Sequence, residues 1–172
     1  MKTIIGDKLE DYKIVDSLGE NQGKLKDIIV DTTKKKWEVK DLVVSTGVIK
    51  DKAVCFRDIA EVDNDNKIIT LKDGIEPHDY DEDDFSKSYI TFDELKKRNV
   101  YCENDTEVGN IYDYIIGYEL PHWEVQNLLI NPKGDWLKGR RIRLGVEDVS
   151  EVKDRIKVKS NREEIQDKCA IE

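Results

Sequence analysis

The 172-residue chain lacks most of the features that mark a membrane, secreted or nucleotide-binding protein. It has no long apolar run. The longest stretches without a charge are two eight-residue segments, Leu42–Ile49 and Val125–Pro132, whereas a membrane-crossing helix needs about 20 apolar residues. The opening residues, Met1-Lys2-Thr3-Ile4-Ile5-Gly6-Asp7, carry no apolar signal core of about 7–15 residues. Export is therefore not expected, and a cytoplasmic location is. Cysteine is scarce: Cys55, Cys102 and Cys169 are odd in number, widely spaced and without CxxC spacing, which makes them poor candidates for disulfides or zinc.

Reactive constellations are missing as well. The ten glycines form neither GxGxxG nor a phosphate loop ending in Gly-Lys-Ser/Thr, and there is no HExxH or nucleophile elbow. The two histidines, His78 and His122, each stand beside a proline with no acid–base partner implied by spacing. No enzyme activity, catalytic residue, cofactor or metal site is expected. Positive charge is also in deficit: 29 Lys plus Arg face 38 Asp plus Glu, a net charge of -9, and neither half of the chain is basic. That balance argues against nucleic acid as the main partner.

What is present is a repeat. At an offset of 86 residues, Gly23-Lys24-Leu25-Lys26-Asp27-Ile28-Ile29-Val30 falls on Gly109-Asn110-Ile111-Tyr112-Asp113-Tyr114-Ile115-Ile116, and Trp37-Glu38-Val39-Lys40-Asp41-Leu42 falls on Trp123-Glu124-Val125-Gln126-Asn127-Leu128. Seven of the twenty-two positions from Gly23 to Val44 are identical, and Leu9 meets Leu95. Further on, Asp58-Ile59-Ala60-Glu61-Val62 corresponds to Asp148-Val149-Ser150-Glu151-Val152 at an offset of 90, the extra residues falling in the turn around Asn131–Asp135. Lys67-Ile68-Ile69 is aligned with Arg155-Ile156-Lys157 at an offset of 88. Two copies of a unit of roughly 75 residues are near the lower size at which a domain folds alone.

Within each copy, short Ile- and Val-rich segments separated by turn clusters read as strands of a small barrel or sandwich. The expected hairpins are Leu25–Asp31 with Trp37–Val44, and Ile111–Tyr118 with His122–Ile130. Shorter strands are expected at Val54–Arg57, Ile59–Val62 and Ile68–Leu71, and at Ile142–Leu144, Val149–Val152 and Ile156–Lys159. Gly23 and Gly109 sit just before strands, where positive φ is often required. Helix is expected only after Thr91-Phe92-Asp93-Glu94, through Arg98, and after Ser160-Asn161-Arg162-Glu163, both with capping-box spacing. The organisation is then an all-β chain of two tandem small antiparallel β-barrels or sandwiches, and the family resemblance below selects barrels. Residues 1–75 form the first, 76–90 an acidic linker, 91–160 the second and 161–172 a tail. The linker holds six acids in the nine residues 76–84. That run, including Asp79-Tyr80-Asp81-Glu82-Asp83-Asp84, lacks the glycine and distant Glu of a calcium loop and is read as solvated.

The order Gly-Lys-x-x-Asp before an Ile/Val strand, then Trp-Glu-Val-x-(Asp/Asn)-Leu, then Asp-(Ile/Val)-x-Glu-Val before a closing strand, resembles the PRC-barrel family. Its namesake is the cytoplasmic barrel of the photosynthetic reaction centre H subunit, and a PRC barrel also forms the C-terminal half of the ribosome maturation factor RimM. The resemblance covers about 9–71 and 95–159. It implies small β-barrels that dock other proteins, and carries no catalytic motif. The chain departs from the first of these proteins in having no membrane helix, and from the second in having no preceding RNA-contacting domain.

Candidate contact residues follow from composition. Trp37 and Trp123 occupy equivalent strand positions and are read as core. Trp136 has no counterpart, lies in the inserted loop and is the candidate partner anchor. Beside it, Lys138, Arg140, Arg141 and Arg143 form the one dense basic patch. Asp27 and Asp113, matched by the repeat, are read as turn or strand-edge carboxylates. The expected function is non-catalytic docking of a protein partner, through edge strands or the 131–140 loop, with the two barrels packed on one another or on a second subunit. The alternative is a ribosome- or RNA-associated assembly factor that uses the Lys138–Arg143 patch.

Overall fold

A computed structural model describes residues 2–47, 50–80, 89–119 and 121–171. Its first half contains β1 (Lys2–Ile5), β2 (Lys13–Val15), β3 (Asn21–Asp31), β4 (Trp37–Ser45), β5 (Lys52–Cys55), β6 (Ile59–Asp63), β7 (Ile68–Leu71) and β8 (His78–Asp79). The second contains β9 (Tyr89–Thr91), α1 (Phe92–Lys96), β10 (Asn99–Cys102), β11 (Glu107–Glu119), β12 (His122–Pro132), β13 (Arg141–Gly145), β14 (Val149–Val152), β15 (Ile156–Val158), α2 (Arg162–Lys168) and β16 (Ala170–Ile171). Short 3-10 turns at Gly6–Asp11, Phe56–Asp58 and Val146–Asp148 link strands. The expected elements are present with some shifted bounds: the strand expected at Val54–Arg57 runs from Lys52 to Cys55, and the helix expected through Arg98 ends at Lys96. The second capping box starts one residue later than expected, on Asn161 and Glu164, because Asn161 Oδ1 accepts from Glu164 N at 2.9 Å.

The chain is all-β in class, but the expectation of two separate closed barrels meets a different arrangement. The sixteen described strands form one continuous sheet in the order β14-β15-β10-β11-β12-β4-β3-β2-β7-β6, with the other six strands branching from that path. It does not close on itself. Nor is it wholly antiparallel, since β2 runs parallel to β7 and β10 parallel to β15. Continuity arises where β4 meets β12: Glu38 lies opposite Glu124, and Trp37 opposite Val125.

Pairings of the first half recur 86 residues on. Ile29 pairs with Thr91 and Val30 with Ile90, while Ile115 pairs with Ile5 and Ile116 with Ile4. Thus β1 is laid against the second half's β11, and β9 against the first half's β3: each half lends its opening strand to the other. Ile28, Ile29 and Val30, and Tyr114, Ile115 and Ile116, are buried consecutively, with register shifts between Ile29 and Val30 and between Ile115 and Ile116. A strand covered on both faces buries both sets of alternate side chains, so its sequence loses the polar alternation of a surface strand.

The register also corrects one alignment. Ile14 pairs with Ile69 and Val100 with Ile156, so the structural match of Ile69 is Ile156, at an offset of 87 and not 88. Ile69 and Leu71 are fully buried, as are Ile156 and Val158. A one-residue slip would have turned those side chains to the opposite face. The two glycines have different roles from one another. Gly23 has φ +133°, as expected, whereas Gly109 is not in the left-handed region; there a Cβ would collide with the carbonyl oxygen of Asn131 on β12.

The core is one cluster running through both halves, with Trp37 and Trp123 2% and 1% exposed, Leu42, Leu128, Leu95 and Ile165 among its members. Trp123 packs against Phe56 at a ring-centroid distance of 5.3 Å, so its core role depends on a residue of the other half.

Candidate functional site

Three regions bear on function: the seam between the halves, the inserted loop around Trp136, and the ends of the sheet. At the seam, Asp27 and Asp113 are buried, 8% and 7% exposed, in contrast to the turn or edge position expected. Each stands at a bulge, after Leu25 and after Ile111 respectively, which lets the backbone turn the carboxyl inward. Asp27 Oδ1 accepts from Ile28 N at 2.7 Å and its Oδ2 from Asp93 N at 3.1 Å; Asp113 Oδ1 accepts from Tyr114 N at 2.9 Å and its Oδ2 from Asp7 N at 3.4 Å. Each carboxyl therefore satisfies an otherwise orphan N–H in the first turn of the other half's helical segment. Thr91 Oγ1, accepting from Glu94 N, completes the cap of α1.

Burial pushes the Asp27 carboxyl up to about 6, against the backbone hydrogen bonds that favour its ionised form. Asp113 is raised too, chiefly by burial, with Asp7 adding to it. Tyr114, whose ring centroid lies 3.7 Å from that of Phe92, is held well above its ordinary value by burial and by Asp27 and Asp113. Gly6 is required here, since a Cβ would lie 2.5 Å from Asp113 Oδ1 and from the Tyr114 ring. This polar seam explains the spacing of Asp27 and Asp113 as architecture: the carboxyls tie the halves together, each of their oxygens accepting from one backbone N–H.

The residues singled out around the inserted loop lie in a second region. Trp136 is half-buried against the core, beneath the guanidinium of Arg162, which lies 4.9 Å from its ring centroid and also donates to the carbonyl oxygen of Glu107. Helix α2 thus covers Trp136. Lys138 is exposed with φ +53° in the turn, and Arg140 Nε donates to Leu137 O at 3.3 Å. Arg141 and Arg143 project from one face of β13, as alternation requires. Arg141 lies 4.8 Å from the Tyr112 ring centroid, and Arg143 donates to Asn127 Oδ1 at 3.2 Å. Ile142 and Leu144 between them face the core. Tail strand β16 pairs with β13 through Arg141–Ile171 and Ile142–Ala170, a contact the reading of residues 161–172 as a simple tail had missed. The signal was available in the apolar Ala170-Ile171 after a capped helix.

The sheet ends supply the third feature. β14 pairs only with β15, and β6 only with β7, so the outer edges of β14 and β6 have no strand neighbour among the described residues. Beside β14 runs a groove of about 430 Å³, walled on one side by Val149, Ser150, Glu151 and Val152 and on the other by the 32–35 turn of the first half, with Trp37 at its base. Asp31, buried at the start of that turn, fixes it by accepting from Thr33 N at 3.0 Å and Thr33 Oγ1 at 2.6 Å. Burial raises the Asp31 carboxyl, yet those hydrogen bonds with Lys34 and Lys40 outweigh it and keep the group below its ordinary value.

Burial raises the thiols of Cys55, Cys102 and Cys169, with Asp41 adding to the effect at Cys55, so none is held as a thiolate. Among the described residues, no group of three or more His, Cys, Asp or Glu is placed to hold a metal ion. Of the acidic run, residues 81–84 lie outside the described residues. No described helix is long and apolar enough to cross a membrane. No family model matches the chain, and neither does any curated protein sequence.

Proposed function

We propose that the chain is a non-catalytic docking module built from two PRC-barrel-like halves, and that it presents sheet edges to a protein partner. The observation that carries this reading is the pair of open sheet ends, at β14 and β6, on a scaffold whose halves are tied by reciprocal strands. Unpaired strand edges offer rows of backbone donors and acceptors that a second chain can satisfy. The seam keeps those edges in fixed relation, so a partner would meet a preformed surface.

The test is a pull-down from native lysate on the immobilised chain, with and without nuclease and at two salt concentrations, followed by mass spectrometry. A small protein set that survives both treatments is the expected result. A second reading, RNA or ribosome association, is favoured by one observation: Arg141 and Arg143 are exposed on the same face of β13 with no carboxylate partner among the described residues. Material lost on nuclease or at high salt would favour that reading, because phosphate contacts weaken steeply with salt.

A further inference from the structure

The groove beside β14 identifies the kind of partner. All four consecutive residues of β14 line it. A bulge between Val149 and Glu151 breaks the strict alternation of β14, so both sets of its side chains border the groove, and Ser150 Oγ turns to Lys157 O on β15. β14 has no hydrogen-bonded neighbour on that side. Across the groove, Lys34 and Lys35 are exposed and make no ion pair within 4 Å among the described residues, although Lys34 is near enough to Asp31 and Glu38 to lower both carboxyls. On the β14 side Lys159 also lines the groove, while Glu151 is occupied by Lys153 at 2.8 Å. Val146, Val152 and Trp37 add apolar surface to the lining, and Glu147 is its second carboxylate, so Lys34, Lys35 and Lys159 outnumber Glu147 and Glu151 there by three to two.

The other half differs at the corresponding places. Eighty-six residues on from Lys34, Lys35 and Lys36 stand Leu120, Pro121 and His122. The folding requirements of the hairpin are met by either set, so the lysines at the β14 end are not demanded by the turn. In a chain of net charge -9, a pair of unpaired lysines over an open edge is a local reversal of the overall field.

We infer that the β14 edge binds an extended acidic segment of a partner protein, which adds to the sheet as a further strand with its carboxylates toward Lys34 and Lys35. This rests on the docking reading above and names the edge and the chemistry. The four residues of β14 span roughly 13 Å, enough for a segment of about four residues to pair along it.

The probe is a fluorescein-labelled peptide, Glu-Val-Glu-Val-Glu-Val, titrated with the full chain and followed by anisotropy. Saturable binding is expected, with K34E/K35E weakening it at least about tenfold, because like charges then face the peptide's carboxylates. Both lysines are exposed, and an unchanged melting temperature confirms that the variant folds. Two N-methylated peptides, one for each alternate set of amides, separate backbone pairing from charge alone. Only one set of amides faces a neighbouring strand, so one methylated peptide loses binding and the other keeps it. Equal binding by K34E/K35E, or undiminished binding by both methylated peptides, overturns the inference. Failure of the docking reading looks different: the wild-type chain then retains no protein from lysate while the peptide still binds and still responds to K34E/K35E. If instead K34E/K35E captures the same proteins as wild type, docking stands and the β14 edge is not where it happens.

Discussion

The Asp27 carboxyl gives the sharpest quantitative expectation, because its ordinary value of 3.8 is raised to about 6 by burial at the seam. A raised carboxyl is a penalty on the ionised folded state. Its contribution to stability is fully present below 3.8 and is lost as pH rises through about 6. A shift of about 2 units corresponds to about 3 kcal/mol in all, of which about 2 kcal/mol falls between pH 4.5 and pH 7.5. Asp113, raised in the same direction, adds to the loss, whereas Glu38 and Glu151, lowered by Lys40 and Lys153, oppose it from partly exposed ion pairs of small worth. Asp27→Asn removes the titration while keeping the shape. Its hydrogen-bonding cost, about 1 kcal/mol for an acceptor lost to Ile28 N or Asp93 N, is the same at both pH values and cancels in the comparison. Urea unfolding followed by tryptophan fluorescence should show the stability of D27N relative to wild type rising by about 2 kcal/mol from pH 4.5 to pH 7.5. An unchanged difference between the two proteins at those pH values would refute the assignment of a buried, raised carboxyl to this position.

Other expectations follow from the same geometry. Trp37→Ala and Trp123→Ala should each cost about 3–5 kcal/mol, and by similar amounts, since the rings are equally buried; urea midpoints check this. Gly109→Ala should be far more damaging than Gly134→Ala, which meets open space and pays about 1 kcal/mol for its positive φ, because a Cβ at Gly109 collides with the β12 backbone. Thermal melts of the two variants give the comparison. Cutting the chain once between residues 80 and 89 should leave two fragments that run together on native size exclusion and part only in denaturant, because β1 and β9 are each seated in the other fragment's sheet.

Much of the fold was legible in the sequence, and the places where it was not share one cause. The hairpins around Trp37 and Trp123 announce themselves by apolar periodicity and by a spacing of 86 residues, and the caps at Thr91 and on the tail by side chains that bond their own helix. These are local signals, each complete within about ten residues. β1, β9 and β16 are two to four residues long and exist only because a distant strand offers an edge, so nothing in Lys2–Ile5 or Tyr89–Thr91 alone identifies a partner. Trp136 reads as an anchor for a partner from sequence, and only the return of α2 shows Arg162 lying over it.

The repeat, the all-β class and the buried tryptophans were determined by the sequence itself, because periodicity, composition and spacing are properties of the chain before it folds. What tertiary structure decided is how the copies use each other: the exchange of opening strands, the joining of β4 to β12 about Glu38 and Glu124, and the inward turn of Asp27 and Asp113 to cap the opposite half. A strand edge accepts any strand of suitable face and register, so the choice between closing each copy on itself and exchanging strands rests on the sum of contacts along the whole seam. No single stretch of residues contains that sum.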